Sequence, residues 1–175
     1  MQVSELSEWW HGQKNIVLMD PNLLACKDHM DLIGQLAESK ARVDINQGLD
    51  ARLLTEENVA ELKKLRLKDI HFAWDRLEDS AKVLRGLRLW KEQGKKDKHG
   101  QHGTVYVLTN SGTTFQEDLE RINFLRDMGY RPFVMIFDKP NAPKELWRLQ
   151  RWANNPWIAN SCLQFSDYRE GRRAI

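Results

Sequence analysis

The sequence predicts an α/β fold in which about five parallel strands alternate with helices. Short apolar runs, several of them rich in β-branched residues, recur along the chain and are typical of strands in a parallel sheet. Each run is followed by polar residues and then by an apolar stripe at helical spacing. Such units form right-handed crossovers, so all strands end at the same edge of the sheet. Five strands cannot close an eight-stranded barrel. The sheet is therefore open, either curved like part of a barrel or flat with helices on both faces.

The first two units begin at 15–19 and at 43–45. Pro21 follows the first strand and cannot continue its ladder of hydrogen bonds, and Asp28 is placed to cap the next helix. Gly48 follows the second strand, where a positive φ is available to it, and Thr55 is the expected N-cap of the helix after it. The polar residues that end the second strand are Asn46, Gln47, Gly48 and Asp50.

The last three units follow the same order. Their strands are predicted at 69–75, 104–108 and 132–137, and their helices at 79–93, 114–128 and 143–153. Thr114 and Glu117 form a capping box, and Gly129 is placed to end that helix. The hydrophilic stretch 91–103, at the end of the 79–93 helix, is predicted to be a solvated loop. This favours a flexible loop over metal binding by His99 and His102, since a metal site needs fixed ligands.

Length and composition indicate one soluble domain. We expect an N-terminal lead-in at 1–14, in which Trp9 and Trp10 cover a core edge or pack on an upstream segment. A single domain is expected at 15–165 and a polar tail at 166–175. The net charge of +2 gives no reason to expect nucleic acid. No apolar run reaches the roughly 20 residues of a membrane span, and no signal peptide precedes the domain. Cys26 and Cys162 are expected to be reduced thiols in a cytoplasmic protein.

Polar side chains end nearly every predicted strand, so they gather at one edge of the sheet. A single polar residue at the end of a strand commonly forms a turn or caps a helix. Together their amides and carboxylates suit a polar small molecule with amine, carboxylate or ribose groups. No dinucleotide-binding, phosphate-binding or serine-nucleophile motif follows a strand. His71 lies mid-strand and is either a satisfied core histidine or a contact in a lumen. The gathered residues are Asp20, Asn22, Asn46, Gln47, Asp50, Asp75, Asn110 and Asp138.

Four short stretches resemble the later strands of the radical S-adenosylmethionine fold. DPNLLA follows the first predicted strand and NQGLDARLLTEE follows the second. HFAWD lies on the third strand and VLTN on the fourth. The resemblance extends from about Asn15 to Pro140. It implies a partial TIM-like (β/α) barrel and a chain that is a truncated or split enzyme domain of this type. The implied cofactor is S-adenosyl-L-methionine.

The resemblance also implies a set of ligand contacts at the strand ends. Asp20 and Asn22 would lie near the methionine amino group, and the amides of 46–47 near its carboxylate. Trp74 and Asp75 would contact the ribose, and Asn110 the adenine. The complete implied set is Asp20, Asn22, Asn46, Gln47, Asp50, Trp74, Asp75 and Asn110.

The chain departs from the family in its cysteines. The family's Cys-x3-Cys-x2-Cys loop, which holds a [4Fe–4S] cluster, is missing, and Cys26 cannot replace three thiolates. A cluster is expected only if such a loop lies upstream of Met1. In that case the edge of the first strand should be exposed and need cover from 1–14 or from a partner chain. Without that loop we expect no radical activity.

Two further hypotheses stay open from the sequence. One is a non-catalytic descendant of the fold that binds a small ligand or a protein with the same edge. The other is an unrelated, cluster-free α/β enzyme that uses Asp75 or Asp138 as a general base.

Overall fold

The computed structural model describes residues 5–19 and 22–169, and it is an α/β fold with one sheet of five parallel strands. The strands are β1 (Asn15–Leu18), β2 (Arg42–Leu49), β3 (Arg66–Ala73), β4 (Thr104–Thr109) and β5 (Arg131–Ile136). The helices are α1 (Leu6–Trp9), α2 (His29–Glu38), α3 (Glu56–Leu62), α4 (Ser80–Gln93), α5 (Phe115–Asp127), α6 (Lys144–Asn154) and α7 (Pro156–Ser161). The predicted fold class is therefore confirmed.

The strands stand in the sheet in the order in which they occur along the chain, and every neighbouring pair is parallel. Right-handed crossovers in this order place the connecting helices on one face of the sheet. This is the arrangement of part of a (β/α) barrel, and it excludes the flat sheet with helices on both faces. The other face is open, and alternate strand residues such as Val17, Phe133 and Met135 are exposed there.

The core lies between the sheet and the helices and has two parts. The larger part joins the first four strands to α2, α3 and α4, and it includes Val43, Phe72, Val105, Leu87 and Trp90. The smaller part joins β5 to α5 and α6, and it includes Ile122, Val134, Leu149, Trp152 and Phe165. Tyr168 is buried in the smaller part, so packing continues into the segment that the sequence predicts to be a polar tail; residues 170–175 lie outside the described residues.

Local sequence signals fix the helix ends where the sequence predicts them. The Thr55 side chain accepts a hydrogen bond from the Asn58 backbone N–H, and Thr114 does the same for Glu117; both are complete capping boxes. Gly129 follows α5 with a φ of 85°, as expected of a glycine that ends a helix. Asp28 occupies the N-cap of α2, but its side chain makes no capping hydrogen bond.

Strand β2 is longer than predicted. The sequence predicts a polar loop from Asn46, whereas the strand continues to Leu49. Ile45 pairs with Ile70 and the next paired residue, Leu49, pairs with Phe72. Four residue steps on β2 thus match two on β3, which is a bulge. Gly48 lies in this bulge with a φ of 88°, so the polar side chains predicted for a loop are carried by an irregular strand end.

Two predictions for aromatic and histidine side chains are wrong, the first of them only for Trp9. Trp9 does not cover a core edge, because 72% of it is exposed, whereas Trp10 is half-buried. Leu6 of the same helix packs on the core. His102 is not a solvated loop residue: it is buried, and its ring lies 5.6 Å from that of Tyr130. Its carbonyl accepts a hydrogen bond from the indole of Trp90. Within the described ranges, no cluster of three or more His, Cys, Asp or Glu side chains could hold a metal ion.

Candidate functional site

A cavity of about 490 Å³ opens at the carboxyl ends of β2 and β3. Ligands of open parallel sheets bind at the carboxyl ends of the strands. The structure brings together there four residues that the sequence places at strand ends: Asn22, Gln47, Asp50 and Asp75. The remaining lining residues are Gly48, Arg52, Ala73, Arg76, Asp79 and Val83.

Asp50 organises the rim on the β2 side. Its carboxylate accepts hydrogen bonds from the backbone N–H and from the guanidinium of Arg52, at 3.0 and 2.8 Å, and the Asn22 side-chain oxygen accepts from the Asp50 backbone N–H at 3.3 Å. Burial alone would raise the pKa of the Asp50 carboxyl. The bonds and charge of Arg52 outweigh burial, so the pKa is lowered and the group is ionised.

Arg52 links the two sides of the rim. Its guanidinium bonds to Asp79 at 2.8 Å as well as to Asp50. Asp79 is the N-cap of α4. The backbone of α4 at Gly86 is in direct contact with the turn at Ala51–Leu53. A Cβ at Gly86 would lie 1.7 Å from the Ala51 carbonyl oxygen. Only glycine permits this contact, and the contact carries Asp79 to within reach of Arg52.

Asp75 follows β3 at the mouth of the cavity. Its side chain is accessible to solvent, yet partial burial raises the pKa of its carboxyl. A hydrogen bond from the Leu108 backbone and the positive charge of Arg121 act in the opposite direction without cancelling the effect. A strand-end carboxyl in a cavity with a raised pKa is a candidate for ligand binding or proton transfer.

A buried ion pair that sequence reasoning missed supports the ends of β3 and β4. Arg121 and Asp118 on α5 are both buried and bond to each other. The Arg121 guanidinium also donates to the carbonyls of Trp74 and Leu108, each at 2.8 Å. The sequence does contain an indication of this pair: both charged residues lie on the inward stripe of α5, where apolar residues are expected.

The structure does not bring the other predicted contacts into the cavity. Trp74 is buried, with its indole N–H donating to Ser80 Oγ at 3.3 Å. Asn110 adopts a φ of 61°, and its side-chain amide donates to the carbonyl of Phe137. Asn46 does not line the cavity, and its carbonyl accepts from the Tyr106 hydroxyl at 2.9 Å. Asp20 lies outside the described residues.

Asp138 is also held away from the cavity by local bonds. It has a left-handed backbone with a φ of 48°, and both carboxylate oxygens accept from the Asn141 amide at 3.0–3.1 Å. Its carboxylate therefore has a turn-forming partner, as the simplest interpretation of a polar strand end predicts.

A row of rings crosses the open face of the sheet. His71 stacks on Tyr106 with 5.3 Å between ring centroids, and Tyr106 meets Phe133 edge to face at 5.7 Å. His71 Nδ1 lies 2.8 Å from the Ile45 carbonyl. Of the two alternatives left by the sequence, His71 lies on the open, lumen-like face, although its ring is already engaged. Tyr106 was not singled out by the sequence because a tyrosine in a strand is usually a packing residue.

The cysteines do not fit the cluster that the resemblance implies. The chain contains two cysteines, whereas the implied loop supplies three thiolates. Cys26 follows the first strand and Cys162 follows α7, and neither bonds to the other. This chain alone therefore does not hold a three-thiolate cluster.

Comparison of the chain with protein-family models, with curated proteins and with solved structures finds no match. Among the helices that the structure describes, none combines the length and the apolar character needed to cross a membrane.

Proposed function

We propose that this chain is a ligand-binding domain for S-adenosyl-L-methionine, with the ligand in the cavity at the ends of β2 and β3. The charge of the cavity carries the proposal. Three carboxylates and two guanidinium groups line it: Asp50, Asp75, Asp79, Arg52 and Arg76. The ligand has a sulfonium and an ammonium group against one carboxylate, so its excess positive charge complements the excess negative charge of the lining.

The lining side chains have different roles in this proposal. Asn22 and Gln47 offer amides to the amino-acid part of the ligand. Asp75 attracts the cationic groups or accepts from ribose hydroxyls, and Arg76 faces the ligand carboxylate. Arg52 is already bound to two carboxylates, so it holds the rim.

The proposal extends to a split radical enzyme in the cytoplasm, whose [4Fe–4S] half is supplied by another segment. That half would supply the electron for ligand cleavage. The β1 edge, with Val17 and Met19 exposed, is the surface that we assign to it. On its own this chain would bind ligand without turnover, which is also the behaviour of a non-catalytic descendant of the fold.

Calorimetric titration of the chain with S-adenosylmethionine tests the proposal. We expect saturable binding that weakens with S-adenosylhomocysteine, which lacks the sulfonium charge, and in Asp75→Asn. Asp138→Asn is the matched control, because that carboxylate is held by Asn141 outside the cavity. Absence of binding, or equal affinities for the two variants, would contradict the assignment.

The pH dependence of binding sharpens this test. Asp75 attracts a cation only when it is ionised, and burial raises the pKa of its carboxyl. Affinity should therefore fall on acidification while the pH is still above the range of an ordinary aspartate, about 3.9. Asp75→Asn should flatten this part of the pH profile.

The raised pKa also favours a second function, proton transfer by Asp75 without any cluster. Asp138 is less suited to that role, since two hydrogen bonds stabilise its carboxylate. That function predicts a pH-dependent reaction of a substrate with an acidic proton, which needs no iron and which Asp75→Asn should abolish. Binding without any product would support the first function.

A further inference from the structure

A second concavity, of about 570 Å³, lies beside β5 and outside the site described above. Strand β5 and helix α6 form its walls. Its lining combines two aromatic rings with a guanidinium and three amides: Phe133, Trp147, Gln150, Arg151, Asn154 and Asn155.

The two rings are accessible and held in place. Phe133 is 41% exposed and Trp147 44% exposed. Phe133 is fixed by its edge-to-face contact with Tyr106 at 5.7 Å. The Lys139 ammonium lies 4.5 Å from the centre of the Trp147 ring. Aromatic rings are surfaces on which nucleobases stack, and a cation over such a ring, as Lys139 is over Trp147, can pair with an anionic group of the same ligand.

Cationic side chains lie along this concavity. Arg151 lines it, Lys139 lies over the Trp147 ring, and Lys144 is exposed one turn before Trp147. Arg148 instead packs on Phe165 and donates to the Tyr168 carbonyl. Lys144, Trp147 and Arg151 are exposed at spacings of three and four residues, and so lie on one face of α6. The two cations are about 10 Å apart along the helix axis, farther than one phosphate extends.

The outward backbone groups of Val134 on β5 are not available to a ligand. Val134 N–H donates to the Asn154 side chain at 2.7 Å, and its carbonyl accepts from Asn154 and Gln150 at 3.0 and 2.9 Å. Pro132, the other outward residue near the concavity, has no N–H. A peptide that adds a strand would find neither the N–H nor the carbonyl of Val134 free. Recognition therefore depends on rings and charges.

We propose that this concavity binds single-stranded nucleic acid, with bases stacked on Phe133 and Trp147 and phosphates near Lys139 and Arg151. A single strand exposes the faces of its bases, whereas a duplex does not. The spread of cations along α6 fits several linked phosphates better than a free nucleotide. The inference is independent of the ligand proposed for the first cavity.

Fluorescence anisotropy with labelled twelve-nucleotide oligouridylate and oligothymidylate tests the proposal. We expect binding that Trp147→Ala weakens about tenfold, since one base–aromatic stack contributes on that order, and that Trp147→Phe largely restores. Trp9→Ala is the matched control, because Trp9 is exposed on α1, which contacts α2, and does not line the concavity. Asp75→Asn should leave binding unchanged, which separates this surface from the first cavity.

Salt dependence tests the phosphate contacts. The double variant Lys139→Ala/Arg151→Ala should reduce the slope of log affinity against log salt by about 1.4, for two single-strand phosphate contacts. The double variant Lys63→Ala/Arg88→Ala removes two exposed charges elsewhere and should not change the slope by that amount. The proposal is overturned if neither oligonucleotide binds, if Trp147→Ala and Trp9→Ala behave alike, or if uridine monophosphate or a duplex binds as tightly as the single strand.

Discussion

The two edges of the sheet differ in how their backbone groups are satisfied. In a strand, the N–H and C=O of successive residues point to alternate sides. On β5, the outward groups of Val134 are bonded by Asn154 and Gln150, and Pro132 has no N–H to offer. On β1, the Lys14 carbonyl accepts a hydrogen bond from the Arg42 N–H of β2. Because successive residues alternate, the backbone N–H and C=O of Val17 point away from β2. Within the described part of the chain, no side chain bonds to the β1 backbone.

This difference shows which edge is closed to a further strand. A carboxamide carries the same N–H and C=O groups as a peptide unit, so Asn154 satisfies Val134 as another strand would. β1 instead presents Val17 and Met19, which are 53% and 63% exposed. Exposed apolar residues on an unprotected edge are unusual in a monomer. β5 is therefore capped at Val134, whereas the described residues place no such side-chain cap on β1.

The largest effect is expected from removing the cap. Asn154→Ala should lower the free energy of unfolding by about 2 kcal/mol, because it leaves the buried Val134 N–H without a partner. Urea unfolding followed by circular dichroism measures this change. Asn160→Ala, at an exposed position on α7, is the control; equal losses in both variants would show that the Asn154 cap contributes nothing.

A smaller effect is expected at the second capping residue. Gln150→Ala should cost about 1 kcal/mol, since the Val134 carbonyl keeps its hydrogen bond from Asn154. The same urea titration applies. A loss as large as that of Asn154→Ala would mean that the carbonyl, rather than the N–H, is the group that needs a partner.

The smallest effect on stability is expected at the open edge. Val17→Lys should change the free energy of unfolding by less than about 0.5 kcal/mol, as is usual for an exposed position. A charge there should also suppress any self-association through β1, measured by sedimentation velocity. Val134→Lys is the contrasting variant, because it places a charge at a fully buried position on β5. A large loss of stability in Val17→Lys would show that the β1 edge is packed.

The order of strands and helices could be predicted because its signals are local. Apolar runs mark the strands, and Thr55 and Thr114 mark helix starts through bonds to residues three positions away. The end of β2 could not be predicted, because its bulge depends on pairing with β3. The caps on Val134 could not be predicted either, since they join residues far apart along the chain.

The candidate site was predictable to the same extent. Asn22, Gln47, Asp50 and Asp75 follow strands, and parallel strands end together, so topology alone brings them to one cavity. The missing parts are partnerships set by helix packing. The ion pair of Arg52 with Asp79 depends on where α4 lies, and the position of Arg121 behind Asp75 depends on α5.

The contact between Gly86 and Ala51 has a consequence for redesign of the cavity. The rim is positioned by backbone touching backbone, with room for one hydrogen atom at position 86. The approach of α4 to the turn at Ala51 is therefore set by backbone contact, and the bonds of Arg52 to Asp50 and Asp79 hold the rim on that frame. Lining side chains such as Gln47 and Arg76 can be exchanged to change ligand preference while the frame that carries them keeps its dimensions, whereas position 86 accepts no substitution.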